Sequence, residues 1–221
     1  MTKVTAIIVA AGEGRRFGSA KQFALLRDRP VLEHSLAQFE THPAVDDIIL
    51  VLREEAGGPE YRKRFEKIVA VVGGGARRQD SVVRGFERLD CGPTDIVLVH
   101  DGVRPLIGRE VIGRVIAKAR ECGAAIPVIP VEDTIKETVD GTVVRTLERR
   151  NLSRVQTPQG FARGVLERAL LKAREDGFYG TDEAALVERA GHPVAVVAGD
   201  VRNIKITSPA DLKIAEAFLE D

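Results

Sequence analysis

Short runs of β-branched and small apolar residues recur along this chain, separated by helical patterns, and that alternation constrains the fold more than any other feature. The runs cover Thr5 to Val9, Asp47 to Leu52, Ile68 to Val72, Asp95 to Val99, Ala125 to Val131 and Val194 to Ala198. They are nearly continuous in Val, Ile and Ala, as strands covered on both faces would be. Between them, "VLEHSLAQFETH" places Leu32, Leu36 and Phe39 on one stripe, and "SVVRGFERL" does so with Val82, Phe86 and Leu89. "GREVIGRVIAKARECG" aligns Val111, Val115 and Ala119 and stops at Gly123, a residue suited to the position just past a helix end. Ser208, Pro209 and Asp211 make a cap, a first position and a third position for a last helix. The alternation predicts an α/β fold: a mainly parallel sheet flanked by helices, with right-handed crossovers.

One stretch breaks the pattern. Asp133 to Phe161 holds an Asp140-Gly141 turn between two alternating runs, a hairpin signal. It is long for a connection, and long excursions in compact domains usually serve function or interaction. It is read as a β-hairpin arm projecting from one domain that spans residues 1–221. Lys+Arg and Asp+Glu number 33 each, so no overall basic field points to nucleic acid or an anionic membrane. Cys91 and Cys122 are too few for a disulfide scaffold and fit no metal spacing; they read as reduced thiols of a cytoplasmic protein. The first apolar run leads into a glycine–arginine loop, which argues for a strand and against a signal peptide. No stretch has the length of a membrane span.

The first strand ends at Ala10 and runs into "AAGEGRRFGSAK". In an open parallel sheet that is where ligands bind. Ala10, Ala11, Gly12, Glu13 and Gly14 keep the backbone close to a ligand, and its N–H groups suit phosphate oxygens. A dinucleotide fingerprint fails, because its third glycine would fall at Phe17. A phosphate-cradling Walker loop fails as well, since no Gly-Lys-Ser/Thr follows. Arg15, Arg16 and Lys21 crowd the loop, a density that suits a triphosphate whose charge must be neutralised during displacement. The bland alternative is a glycine turn with surface arginines. Further along, "VLVHDGVRP" ends a strand on Asp101, a potential Mg²⁺ ligand, and returns Arg104 as a potential phosphate clamp. "VVGGGARRQDS" follows another strand with backbone that could read a base edge, and Ser81 opens the next helix. A turn aspartate and an ordinary N-cap serine are the bland readings there.

Taken together, "AAGEGRRFGSAKQF", "GGGARRQDSV", "VHDGVRP", "VEDTIK", "TPQGF", "TDEAALVE" and "VRNIKITSPADL" resemble the 2-C-methyl-D-erythritol 4-phosphate cytidylyltransferases of the non-mevalonate isoprenoid pathway. The motifs occur in family order and cover nearly the whole chain. The resemblance implies a Rossmann-like nucleotidyltransferase fold that joins CMP from CTP to a polyol phosphate, with Mg²⁺ or another divalent cation as cofactor. By motif position, it implies catalytic cations at Arg16, Lys21 and Lys205, the last in a β-like run. It implies CTP contacts at the Ala10–Gly14 loop, with Gly75, Ala76 and Ser81 facing the cytosine. Asp101 would meet metal and substrate. Arg104, Thr134, Arg149 and Thr157 would surround the polyol phosphate, Arg149 being assigned by counting back from "TPQ" past its neighbour Arg150. It further implies a homodimer joined through the arm, with Thr134 and Arg149 acting in the partner's site. One departure stands out: Gly102-Val103 replaces two alanines between the aspartate and the arginine. This predicts altered loop packing with activity kept. Three other readings remain open at this level: a cytidylyltransferase for another polyol phosphate such as ribitol 5-phosphate, a sugar-1-phosphate nucleotidyltransferase with a different base, and a non-catalytic nucleotide-binding module.

Overall fold

The computed structural model describes residues 2–14, 17–18, 20–53 and 58–220. Its central sheet has eight strands. Six run the same way: β1 (Val4–Ala10), β4 (Asp47–Leu52), β5 (Ile68–Gly73), β6 (Ile96–Asp101), β7 (Ala124–Pro130) and β12 (Ala195–Ala198). The other two, β10 (Ser153–Val155) and β11 (Gln159–Ala162), are antiparallel. The order across the sheet is β12, β7, then β10 and β11, then β6, β1, β4 and β5. Two short strands, β2 (Leu25–Leu26) and β3 (Arg29–Pro30), pair separately.

Alternate residues of β1 serve two cores. Val4, Ala6, Ile8 and Ala10 pack on the face covered by α1 (Val31–Glu40) and α4 (Arg109–Cys122). Ile7 packs on the face covered by α3 (Arg78–Phe86), α5 (Arg163–Glu175) and α6 (Glu183–Arg189). This period-2 division of a strand that is apolar but for Thr5 is why the run reads as nearly continuous. A short α2 (Gly58–Arg64) follows β4, and α7 (Pro209–Phe218) closes the chain. Helix α4 stops at Gly123, whose φ of 81° is left-handed. Helix α7 starts at Ser208, which accepts the Asp211 N–H.

The structure corrects three readings. The arm is shorter than 133–161: only β8 (Lys136–Val139) and β9 (Thr142–Thr146) form a separate hairpin, while residues 153–155 and 159–162 lie in the central sheet. Polar Gln156, Thr157 and Gln159 interrupt that stretch and hide it from an apolar-run criterion. The hairpin itself turns at Asp140-Gly141 with φ of 48° and 76°, the two positive values such a turn needs. Second, Ser81 is not an N-cap. Helix α3 begins at Arg78 with Arg77 before it, and Ser81 lies inside the first turn. Third, residues 203–207 form no strand; the run is irregular, tied to the body by the Ile206 N–H on the Val103 carbonyl at 2.8 Å.

Candidate active site

The chain leaves β1 towards β4 and β5 on one side, then returns to β6 on the other. That reversal opens a crevice at the carboxyl ends of β1 and β6, where parallel α/β sheets take up ligands. A cavity of about 650 Å³ lies there. The loop from Ala10 to Gly14 forms one wall, the loop from Gly74 to Arg78 another, and Asp101, Lys21 and Lys205 complete it. The two loops touch closely. A Cβ on Gly74 would lie 2.2 Å from the Ala11 Cβ, so the residue must be glycine for them to meet. At Gly12 nothing lies within 4 Å of the place a Cβ would take. Its carbonyl accepts a hydrogen bond from Gln22 Nε2 at 3.2 Å.

Asp101 is the electrostatic centre. It is 6% exposed, at the last position of β6. Its Oδ1 accepts from Arg78 Nε at 2.9 Å, and its Oδ2 lies 2.8 Å from Lys205 Nζ and 3.7 Å from Arg104 Nε. Burial opposes ionisation, but Arg78, Lys205 and Arg104 overwhelm it and hold the carboxyl far below the ordinary carboxylate range. Arg78 reaches on to Glu183 through Nη1, at 2.7 and 2.9 Å from the two carboxylate oxygens. Burial works against the Arg78 charge as well; Glu183 and Asp101 outweigh it and raise the guanidinium further. Beside this cluster His100 is fully buried, and desolvation pushes it down to about 3. It is a neutral ring, and Nε2 carries the hydrogen because its partner at 3.3 Å, the Arg104 carbonyl, only accepts.

Most residues singled out from the sequence meet here. Ala10 to Gly14, Lys21, Gly75, Ala76, Ser81, Asp101 and Lys205 all line the cavity. Arg104 reaches it through Asp101 and donates from Nη1 to the Asn203 carbonyl at 2.8 Å. Arg15 and Arg16 lie outside the described residues. Thr134 and Arg149 are exposed and do not line this cavity. Arg149 donates from Nη1 to the Glu132 carbonyl and, with Arg150, lines a separate cavity at the base of the arm.

Residues 4–221 match the family model described as 2-C-methyl-D-erythritol 4-phosphate cytidylyltransferase. The chain belongs to that family. A member from Syntrophotalea carbinolica is 44% identical over 98% of this chain and 96% of its own length, and one from Bacillus licheniformis is 46% identical over 97% and 94%. The crystal structure of the Thermus thermophilus enzyme superposes with a TM-score of 0.83 at 37% identity, covering 99% of this chain and all of that one. The 4-diphosphocytidyl-2C-methyl-D-erythritol synthase of Anaerococcus prevotii superposes with a TM-score of 0.87 at 31% identity, covering all of this chain and 97% of that one.

Within this cytidylyltransferase fold, two residues assigned to ligands from the sequence, Thr157 and Ser81, also make hydrogen bonds inside the protein. The Thr157 hydroxyl accepts the Asp101 N–H at 3.1 Å and donates to His100 Nδ1 at 3.0 Å. Its one proton is engaged, so Thr157 orients Asp101. Ser81 accepts the Gly75 N–H at 3.0 Å and donates to the Arg77 carbonyl at 3.2 Å, shaping the loop from within. The sequence reading also missed the amides that join distant segments. Gln156 Nε2 donates to the Asp200 carbonyl at 2.7 Å, and Gln159 Nε2 donates to Asp182 at 2.7 Å while its oxygen accepts the Ala184 N–H at 3.1 Å. Both glutamines are buried. The available signal was their position on either side of the Thr157-Pro158 pair in "QTPQ".

Proposed function

We propose that this chain transfers CMP from CTP to 2-C-methyl-D-erythritol 4-phosphate, forming 4-diphosphocytidyl-2-C-methyl-D-erythritol and releasing pyrophosphate. The observation that carries this reading is the cation-lined cavity at the reversal point of the sheet, in a chain of this family. A phosphate oxygen of the polyol phosphate attacks the α-phosphorus in line. The bond from that phosphorus to the bridging oxygen of the β-phosphate breaks, and pyrophosphate leaves with that oxygen. Such a transfer needs little covalent help; positioning and charge stabilisation dominate. Lys21 and Lys205 neutralise charge growing at the α-phosphorus, together with Arg16, whose part rests on its sequence position. The Gly75–Ala76 backbone bounds a pocket for the base. Because the Gly75 N–H is held by Ser81, carbonyl and neighbouring groups are left to select cytosine.

Asp101 alone among the cavity's strand-end residues offers a carboxylate for Mg²⁺, and no cluster of three or more His, Cys, Asp or Glu side chains exists among the described residues. One carboxylate fits an ion that arrives with the triphosphate and takes most of its ligands from phosphates and water. Bound there, Mg²⁺ would neutralise phosphate charge. Arg104 faces the polyol phosphate beside Asp101. Thr134 and Arg149 complete that subsite from the partner of a homodimer joined through the arm. The molecule acts as one nucleotidyltransferase domain in the cytoplasm, where thiols such as Cys91 and Cys122 stay reduced.

The relatives named above carry methylerythritol phosphate or its cytidyl product in their names, which disfavours ribitol 5-phosphate as acceptor. The test is pyrophosphate release from CTP, with each polyol phosphate in turn. Turnover confined to the methylerythritol compound supports the proposal. Preference for ribitol 5-phosphate, or release with neither, overturns it.

A further inference from the structure

Glu183 is 1% exposed, on the first turn of α6, and the transfer described above gives it no part. It is nevertheless held with unusual care. Asp182 caps α6 by accepting the Ala185 N–H at 3.0 Å, and Gln159 on β11 grips both Asp182 and the Ala184 N–H. The helix start that carries Glu183 is thereby fixed to the central sheet. Its carboxylate meets Arg78, which spans to Asp101 through a different nitrogen. Flanking residues repeat the connection. Gln79 donates to the Phe178 carbonyl at 3.2 Å and accepts the Gly180 N–H at 3.0 Å, and the Arg77 guanidinium lies 3.8 Å from the centre of the Tyr179 ring. Three successive residues at the start of α3 thus lean on the stretch 178–183.

We propose that Glu183, acting through Arg78, is a positioning residue for the transfer: the guanidinium holds the Asp101 carboxylate and the nucleotide loop in one fixed relation, and Glu183 keeps that guanidinium in place. The proposal rests on the reading of this cavity as the transfer site. Arginine suits the task because its planar fork fixes direction at both ends, which an ammonium does not. Glu183 also sets the charge balance. Arg78, Arg104 and Lys205 surround Asp101; burial pushes the Glu183 carboxyl up and Arg78 opposes that shift, and the contact between them engages the guanidinium, so that Lys205 is left to turn from Asp101 to an arriving phosphate. Without Glu183, Arg78 closes on Asp101 from a shifted position. Displacements of about 1 Å in a transfer site can cost about 10²-fold in rate.

A double-mutant cycle on kcat/KM for the polyol phosphate separates positioning from general structural support, because coupled residues give non-additive losses. Glu183→Gln in the natural chain should lower kcat/KM by about 10- to 100-fold. In an Asp101→Asn background the same change should cost less than about threefold, since the group it aligns is already gone. Arg78→Lys should behave like Glu183→Gln in both backgrounds, and takes its place in the cycle if that variant does not fold. Equal losses in both backgrounds, or no loss from either change, overturn the proposal. A natural chain that releases no pyrophosphate from CTP overturns the transfer itself, a result distinct from an additive cycle.

Discussion

At the scale of single residues, neighbours decide roles that residue type leaves open. Thr157→Val keeps shape and removes the hydroxyl, so the Asp101 N–H loses its acceptor and His100 Nδ1 its donor. Leaving buried polar groups unpaired costs about 1–3 kcal/mol, and a urea melt should show a loss of that size. Turnover should fall as well, because Asp101 is released. His100 gives a pH prediction with a definite sign. Its folded value is pushed down to about 3, against about 6.5 in an unfolded chain. Between those values the unfolded chain binds a proton that the folded chain refuses, so stability from this group is complete above about pH 6.5 and is lost as pH falls towards 3. Asp101, held low by its cations, adds a loss of the same sign below about pH 4. By NMR the His100 ring should remain neutral at pH 5; a signal titrating near 6.5 contradicts this. Legibility at this scale was uneven. Asp101 stood out at the end of a strand and Lys205 only through the family resemblance, whereas the partnership of Arg78 with Glu183 joins residues 105 positions apart, and no local pattern encodes it.

At the scale of elements, the two glycine-rich loops make contrasting tests. A Cβ at Gly12 meets no atom within 4 Å, so Gly12→Ala should leave the melting temperature nearly unchanged. It should raise KM for CTP, because the methyl intrudes where the nucleotide lies against the loop. Gly74→Ala forces the loops apart at Ala11 and should lower both stability and CTP affinity, with about 1–3 kcal/mol of overpacking strain in a urea melt. Equal effects from the two changes would contradict the assigned contacts. Gly102-Val103 belongs to the same wall. A Cβ at Gly102 would crowd Leu32 Cδ1 at 2.9 Å and Ala10 Cβ at 3.1 Å, while Val103 packs with Leu26, Val31 and Ile206. The central parallel strands β1, β4 and β6 were legible because both faces are buried and their apolar runs are nearly unbroken, while β5 and β12, which leave Val69 and Val196 exposed, were legible from their β-branched runs alone. β10 and β11 were not, because the antiparallel insertion carries the polar braces of the site. The run 203–207 looked like a strand because Ile204 and Ile206 alternate with polar residues; both isoleucines pack in the cluster around Leu26, with no ladder beside them.

At the scale of the whole molecule, the exposed arm is proposed to carry the exposed Thr134 and Arg149 to the site of a partner chain. Val139, Val143 and Val144 are more than half exposed on the hairpin, apolar surface suited to a partner chain. Mixing Lys21→Ala with Arg149→Ala under subunit exchange should restore activity, because one site of each mixed dimer then carries neither defect. No recovery in confirmed heterodimers places Arg149 in its own chain's site. The most direct test of the transfer itself follows isotope: methylerythritol 4-phosphate labelled with ¹⁸O at its free phosphate oxygens is incubated with CTP and Mg²⁺, and the products are read by ³¹P NMR. Attack of that phosphate on the α-phosphorus predicts label in the bridge between the two phosphorus atoms of the cytidyl product and none in pyrophosphate. Label in pyrophosphate, or a cytidyl product with an unlabelled bridge, contradicts the account.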